Sequence, residues 1–166
     1  AYNNCTITKS KLASIFDYLY GQYTKQRIAF LKANPHISEY ASENLTFAML
    51  NEVIALDSRF NVLEVLCHVP LRQVVKDTSL MNKYELRYAT NYSTHLDFLI
   101  INKVTKLPIL AIETDGYTYH NDQTMQHQRD LMKDHIMSSY GLPLLRLSTK
   151  GSGEKEKVLS MLLQLI

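Results

Sequence analysis

The stretch HLDFLIINKVTKLPILAIETDG, residues 95–116, decides how this chain reads. His95–Asn102 is an apolar run, Lys103–Pro108 is a turn, and Ile109–Asp115 is a second apolar run broken by Gly116. Two such runs joined by a short connection read as paired strands. Side chains two apart on a strand share a face. His95, Asp97, Leu99 and Ile101 therefore point one way, and Leu96, Phe98 and Ile100 the other. On the second strand Ala111, Glu113 and Asp115 share a face opposite Leu110 and Ile112. The turn brings Asp97 near Glu113, so that carboxylates crowd one patch of an otherwise apolar hairpin. Like charges a few ångströms apart repel and raise one another's pKa. A cation among them relieves this, and oxygen-only ligands at an open patch suit Mg²⁺, or Mn²⁺ in its place, rather than Zn²⁺. An ion so held polarises a phosphate oxygen, lowers the pKa of bound water and steadies a leaving oxygen, which is the apparatus of phosphodiester hydrolysis. The plain alternative is a set of solvated acids at strand ends. Two carboxylates at matching depth within apolar runs favour the site.

Outward from the hairpin, helices alternate with strands. Downstream, residues from about Thr124 to Tyr140 read as a helix with Met125, Leu131, Met132, Ile136 and Met137 available for its inner face. Gly141 stands where a C-terminal glycine accepts positive φ. Pro143–Ser148 is a further strand, Gly151-Ser152-Gly153 a tight loop, and a last helix from Glu154 buries Val158, Leu159, Leu162 and Leu163. Upstream, Ser42 is the expected N-cap of a helix carrying Leu45, Met49, Leu50, Val53, Ile54 and Leu56. A strand follows over Asn61–Val69, then a short helix near Leu71–Val75 and a polar stretch containing Tyr84, Tyr88 and Tyr92. At the start, Leu12, Ile15, Phe16, Leu19 and Tyr20 make one apolar helical stripe, and Pro35 closes a second helical stretch. Residues 1–40 thus read as an N-terminal helical extension or linker, and residues 41–166 as one α/β domain.

The 166 residues are 46% hydrophobic and 20% charged, which excludes a disordered tail, a collagen-like repeat and a disulfide scaffold. No apolar run approaches the ~20 residues that span a bilayer, so no membrane partner is expected. No basic-then-apolar leader opens the chain, and its start at Ala1 reads as a piece of something longer. The net charge of +2, from 18 Lys and Arg against 16 Asp and Glu, says little about partners by itself. Cys5 and Cys67 form no ligand or redox motif, and two scattered thiols suit a cytoplasmic location.

Several of these residues form an ordered set: Asp97 opening an apolar strand, Ile112-Glu113-Thr114-Asp115-Gly116, His120, Arg129-Asp130, Lys133-Asp134, and the run from Leu142 to Arg146. Over about residues 42–165 the chain resembles the PD-(D/E)XK nuclease superfamily. It is most similar to the branch related to very-short-patch repair endonucleases and to domains appended to superfamily I helicases. The resemblance implies a restriction-endonuclease-like core, with a mixed central sheet of about four to five strands flanked by helices. It implies a Mg²⁺-dependent deoxyribonuclease, DNA as partner, and a larger helicase or DNA-repair protein around the domain. Asp97 and Glu113 are then the metal ligands, and Glu43 matches the first-helix carboxylate. Glu52, its rival, reads as a solvated helix face.

The sequence departs from the superfamily pattern at Asp115, which stands where a lysine orients the attacking water. Asp115 reads as a third ligand or as a cap of the turn at Gly116. Lys133 either returns an ammonium to the site or is a surface lysine. His120 lies in the loop beside the metal and could handle protons. Arg129, Arg146, Gln128 and Tyr117 are the candidates for phosphate or base contact. His95 reads as a hydrogen-bonded strand-end histidine, with a supporting place beside the metal as the other option. His127 and His135, with no cysteines near, do not make a zinc site. A different class of function stays open: a nuclease-fold module that binds DNA or a protein and cleaves nothing.

Overall fold

The computed structural model describes residues 36–115, 123–148 and 153–166, together with Lys11, Ser14, Ile15, Tyr18, Leu19, Gly21, Gln22 and Lys25. The chain divides into two units, Ala1–His36 and Ile37–Ile166. The described residues from Lys11 to Lys25 are helical, with Ile15, Tyr18 and Leu19 exposed.

The second unit runs α1 (Ala41–Ala55), a 3-10 turn (Ser58–Val62), β1 (Leu63–Pro70), α2 (Leu71–Val74), α3 (Lys83–Thr90), β2 (His95–Asn102), β3 (Pro108–Asp115), α4 (Gln123–Ser139), β4 (Leu144–Ser148) and α5 (Glu154–Leu165). The strands form one four-stranded sheet in the order β1-β2-β3-β4. β1–β2 and β2–β3 are antiparallel, whereas β3 and β4 are parallel. Parallel neighbours need a long crossover, and the connection containing α4 is that crossover. The mixed α/β sheet flanked by helices is thus the architecture expected from the alternation of patterns.

Local chemistry explains the hairpin. Asn102 Oδ1 accepts from the backbone N–H groups of Val104 (2.9 Å) and Thr105 (3.1 Å), an Asx-type turn that reverses the chain. Pro108 sits at the first position of β3, where its missing N–H is tolerated. The register pairs Phe98 with Ile112, Leu99 with Ala111 and Ile100 with Leu110.

Two apolar clusters sandwich the sheet. Leu50, Val53, Phe98, Ile100, Leu110, Ile112, Leu147, Val158 and Leu162 join one face to α1 and α5. Leu71, Ala89, Leu99, Ile101, Ala111, Ile136 and Met137 join the other to α2, α3 and α4. Leu96 breaks the expected alternation, because it belongs to the second cluster and not with Phe98 and Ile100. In the register of β1 and β2 it lies one residue beyond the point opposite His68, whose φ of 51° interrupts the regular pleat.

Two helix starts differ from expectation. Ser42 does not cap α1, which begins after Tyr40 with no side-chain cap bond. Asn44 does the tying instead: its Oδ1 accepts from Ile37 N at 2.9 Å, and its Nδ2 donates to Ser38 O at 2.8 Å. The polar stretch after Leu80 contains a true helix, α3. Asn82 caps it while Glu85 Oε2 accepts from Asn82 N at 2.9 Å, a reciprocal capping box. Gly141 has a φ of 66°, as its place after α4 requires.

Candidate functional site

The β2–β3 register sets Asp97 against Glu113, one step beyond the Phe98–Ile112 pair. Both line a cleft of about 750 Å³ with Glu43, His95, Thr114, His127, Arg129, Asp130, Lys133 and Arg146 among its walls. α1 supplies Glu43, the sheet supplies the two facing acids, and α4 supplies a stripe of polar residues. Gln126, Arg129, Asp130, Lys133 and Asp134 share that stripe through spacings of three and four. Gln128 lies off it, is exposed, and does not line the cleft, contrary to its expected place.

Asp97 is held by the next strand. Its Oδ2 accepts from both Thr114 N and Thr114 Oγ1, each at 2.8 Å. Its Oδ1 lies 3.9 Å from His95 Nε2. Glu113 is 7% exposed and Lys133 is also 7% exposed, so this ion pair is buried. Lys133 Nζ donates to Glu113 Oε2 at 2.6 Å and to the His95 backbone oxygen at 2.9 Å. Burial pushes the Glu113 carboxyl above its ordinary range, the Lys133 ammonium pulls it back, and the Asp97 charge adds to the rise. Of the two expectations for Lys133, the buried ammonium beside the acids is the one observed.

Glu43 Oε2 is a buried oxygen with no hydrogen-bond partner. It lies 3.4 Å from His68 Nε2, whose hydrogen is directed at Ile37 O, 3.2 Å away. A buried carboxyl oxygen without a hydrogen-bond donor costs free energy, which a cation in the cleft would offset. Glu52 faces away from this cleft: it is exposed and meets Lys155 at 3.0 Å, the solvated helix face expected for it.

Arg146 pairs with Glu113 in the β3–β4 register, yet its guanidinium turns to α4. It reaches Asp134 at 2.8 Å and Asp130 at 3.5 Å, and its positive charge also acts against the rise of the Glu113 carboxyl. Tyr88 also lines the cleft, and burial pushes its phenol up to about 12, with the Glu113 and Asp130 charges adding to the shift. Tyr117 and His120 lie outside the described residues, as does the Asp115 side chain, whose backbone pairs with Ser148 in the sheet.

Four contributors escape sequence reasoning. Thr114 orients Asp97, His68 approaches Glu43, and Tyr88 and His127 line the cleft. Thr114 carries a readable signal, because it lies between two acids on a strand and must face a neighbour. His68 carries none, because its position follows from a positive φ inside β1. Among the described residues, no group of three or more His, Cys, Asp or Glu side chains is spaced to hold a metal ion. Mg²⁺ does not need that many, since it keeps most of its waters and binds through one or two carboxylates. The opposed Asp97 and Glu113, with the orphan oxygen of Glu43 in the same cleft, fit that requirement.

A four-stranded mixed sheet presenting opposed carboxylates in an open cleft defines an α/β domain with a polar, charged site. A family model described as "Protein of unknown function (DUF2726)" matches residues 39–165, and the chain belongs to that family. No curated protein and no solved structure matches it. Among the described residues, no helix is long and apolar enough to cross a membrane.

Proposed function

We propose that this chain is a metal-dependent nuclease domain that hydrolyses phosphodiester bonds in DNA, as part of a larger cytoplasmic helicase or DNA-processing protein. The observation that carries this reading is the meeting of Asp97, Glu113, Glu43 and a buried Lys133 in one open cleft. Asp97 and Glu113 would hold Mg²⁺ or Mn²⁺, with Glu43 on the α1 side. The bound ion would supply Lewis acidity toward a phosphate oxygen and a more acidic water. Thr114 fixes Asp97 Oδ2, so this carboxylate needs little reorganisation on binding. Lys133 fixes Glu113 and supplies an ammonium where the superfamily's lysine is absent from the strand. Arg129 offers a planar guanidinium to a phosphodiester along the α4 wall. Arg146 holds Asp130 and Asp134, which keeps the helix in place against the sheet.

Incubation of the protein with linear, nicked and single-stranded DNA in the presence of Mg²⁺ or Mn²⁺ tests the reading. Cleavage is expected, with Asp97→Ala and Glu113→Ala each lowering it on the order of 10³-fold. Absence of cleavage with every substrate, or cleavage that survives both substitutions, overturns it.

One observation favours a second reading, a module that binds DNA or a protein without cutting. Glu113 Oε2 already has its cation in Lys133, and Asp97 Oδ2 already has both Thr114 donors. That module would retain DNA with a steep loss of affinity as salt rises, and would release no cleaved product.

A further inference from the structure

His95 is held from several sides. Its Nδ1 lies 2.9 Å from Ser93 O. A carbonyl oxygen only accepts, so Nδ1 carries the hydrogen, and in the neutral ring the lone pair is on Nε2. That nitrogen lies 3.9 Å from Asp97 Oδ1. The His68 ring meets the His95 ring edge-on, with centroids 5.6 Å apart. Lys133 Nζ anchors the His95 backbone oxygen at 2.9 Å. The His95 side chain is nonetheless 44% exposed, and the residue lines the cleft.

An imidazole that gives its one N–H to a backbone carbonyl is the arrangement in which histidine ligates metals, because the bond fixes both tautomer and ring plane. Asp97 Oδ1 is also the oxygen that Thr114 leaves aside. Two donors each about 2.1 Å from a common ion can stand up to ~4.2 Å apart. The 3.9 Å between Nε2 and Oδ1 is therefore within the span of a single ion.

We propose that His95 Nε2 and Asp97 Oδ1 are paired ligands of one divalent ion, and that this nitrogen makes the cleft prefer transition-metal dications such as Mn²⁺ to Mg²⁺. The proposal rests on the reading of Asp97 as a metal ligand and adds the selectivity of that site. Mg²⁺ is a hard ion that keeps water and oxygen ligands, and it gains little from an imidazole. First-row transition ions accept nitrogen more readily.

The test is a titration of the protein with Mn²⁺ followed by EPR, with Mg²⁺ as competitor. His95→Ala is expected to weaken Mn²⁺ binding about ten-fold or more while changing Mg²⁺ binding about two-fold or less. His95→Gln replaces the nitrogen by an oxygen of similar reach and is expected to lower the Mn²⁺ to Mg²⁺ preference without loss of folding, checked by thermal melting. Pulsed EPR of bound Mn²⁺ should show the ¹⁴N modulation of a ligated imidazole in the wild type and neither substitution should retain it. An unchanged preference in both variants, or a ¹⁴N signal that survives them, overturns the role of His95 and leaves the carboxylate site standing. Failure of the wild type to bind either ion, or full Mn²⁺ binding by Asp97→Ala, removes the metal site itself and this proposal with it.

Discussion

The two faces of the sheet are made by the same strands, yet they bury different chemistry. The face toward α1 and α5 is dry: Phe98, Ile100, Leu110 and Ile112 are fully buried among Leu50, Val53, Val158 and Leu162. The face toward α4 begins in the same way at Leu99, Ala111, Ile136 and Met137, then turns ionic at Glu113 and Lys133. The contrast shows what a buried carboxylate needs. Glu113 is tolerated because α4 brings an ammonium to it, one helical turn before Ile136 and Met137.

The largest expected effect tests that dependence. Lys133→Met leaves the buried Glu113 carboxylate unpaired and is expected to cost about 3–5 kcal/mol at neutral pH. The double variant Glu113→Gln/Lys133→Met should recover most of that loss, because no uncompensated charge remains. Urea unfolding of the two singles and the double, read as a cycle, gives the coupling; additive losses would mean that the pair is not one unit.

On the dry face, Leu110→Ala removes a fully buried side chain and is expected to cost about 3 kcal/mol. The same loss should be found at acid and neutral pH, unlike that of Lys133→Met. A strong pH dependence of the Leu110→Ala penalty would break the distinction between the faces.

A smaller effect comes from the titration of Glu113. Burial raises its carboxyl above the ordinary 4.5. Between that value and the raised one, the folded chain keeps a proton that the unfolded chain has lost. Its contribution to stability is therefore complete below 4.5 and is lost as pH rises through the folded value, after which it is level. Unfolding midpoints measured from about pH 4 to about pH 8 should show this decline, and Glu113→Gln should flatten it. An unchanged slope in Glu113→Gln would place the titration elsewhere.

The smallest effect concerns the helix that walls the ionic face. Asn82→Ala removes the cap of α3 and half of its reciprocal box and is expected to cost about 1 kcal/mol. Hydrogen exchange of the α3 amides should accelerate by about a factor of five. No acceleration would mean that packing of Ala89, and not the cap, holds the helix.

Much of the ladder was legible because strand periodicity is a local property. His95–Asn102 is the strand that its apolar run describes, and the alternation of Leu99 and Ala111 against Phe98 and Ile100 follows from the period of two. α3 was less legible, because its tyrosines and charges mask the Asn82–Glu85 signal that nucleates it. Lys133 carried a usable clue: it stands three and four residues before Ile136 and Met137, so an inward-facing helix stripe has to include it. The Leu96 departure, the turn of Arg146 toward α4 and the approach of His68 to Glu43 carried no such clue.

The amino-acid pattern alone determined the order of helices and strands, the hairpin, and the opposition of Asp97 to Glu113, since each depends on spacing along one segment or across one turn. Only the tertiary structure decided that α4 delivers its ammonium to Glu113, that Thr114 takes one oxygen of Asp97 while His95 faces the other, and that α1 leaves a buried Glu43 oxygen without a hydrogen bond beside His68 in the same cleft. Those contacts join segments far apart in the chain. Their geometry is set by how helices pack on a twisted sheet and by which buried charges must be neutralised, and neither is encoded in local periodicity.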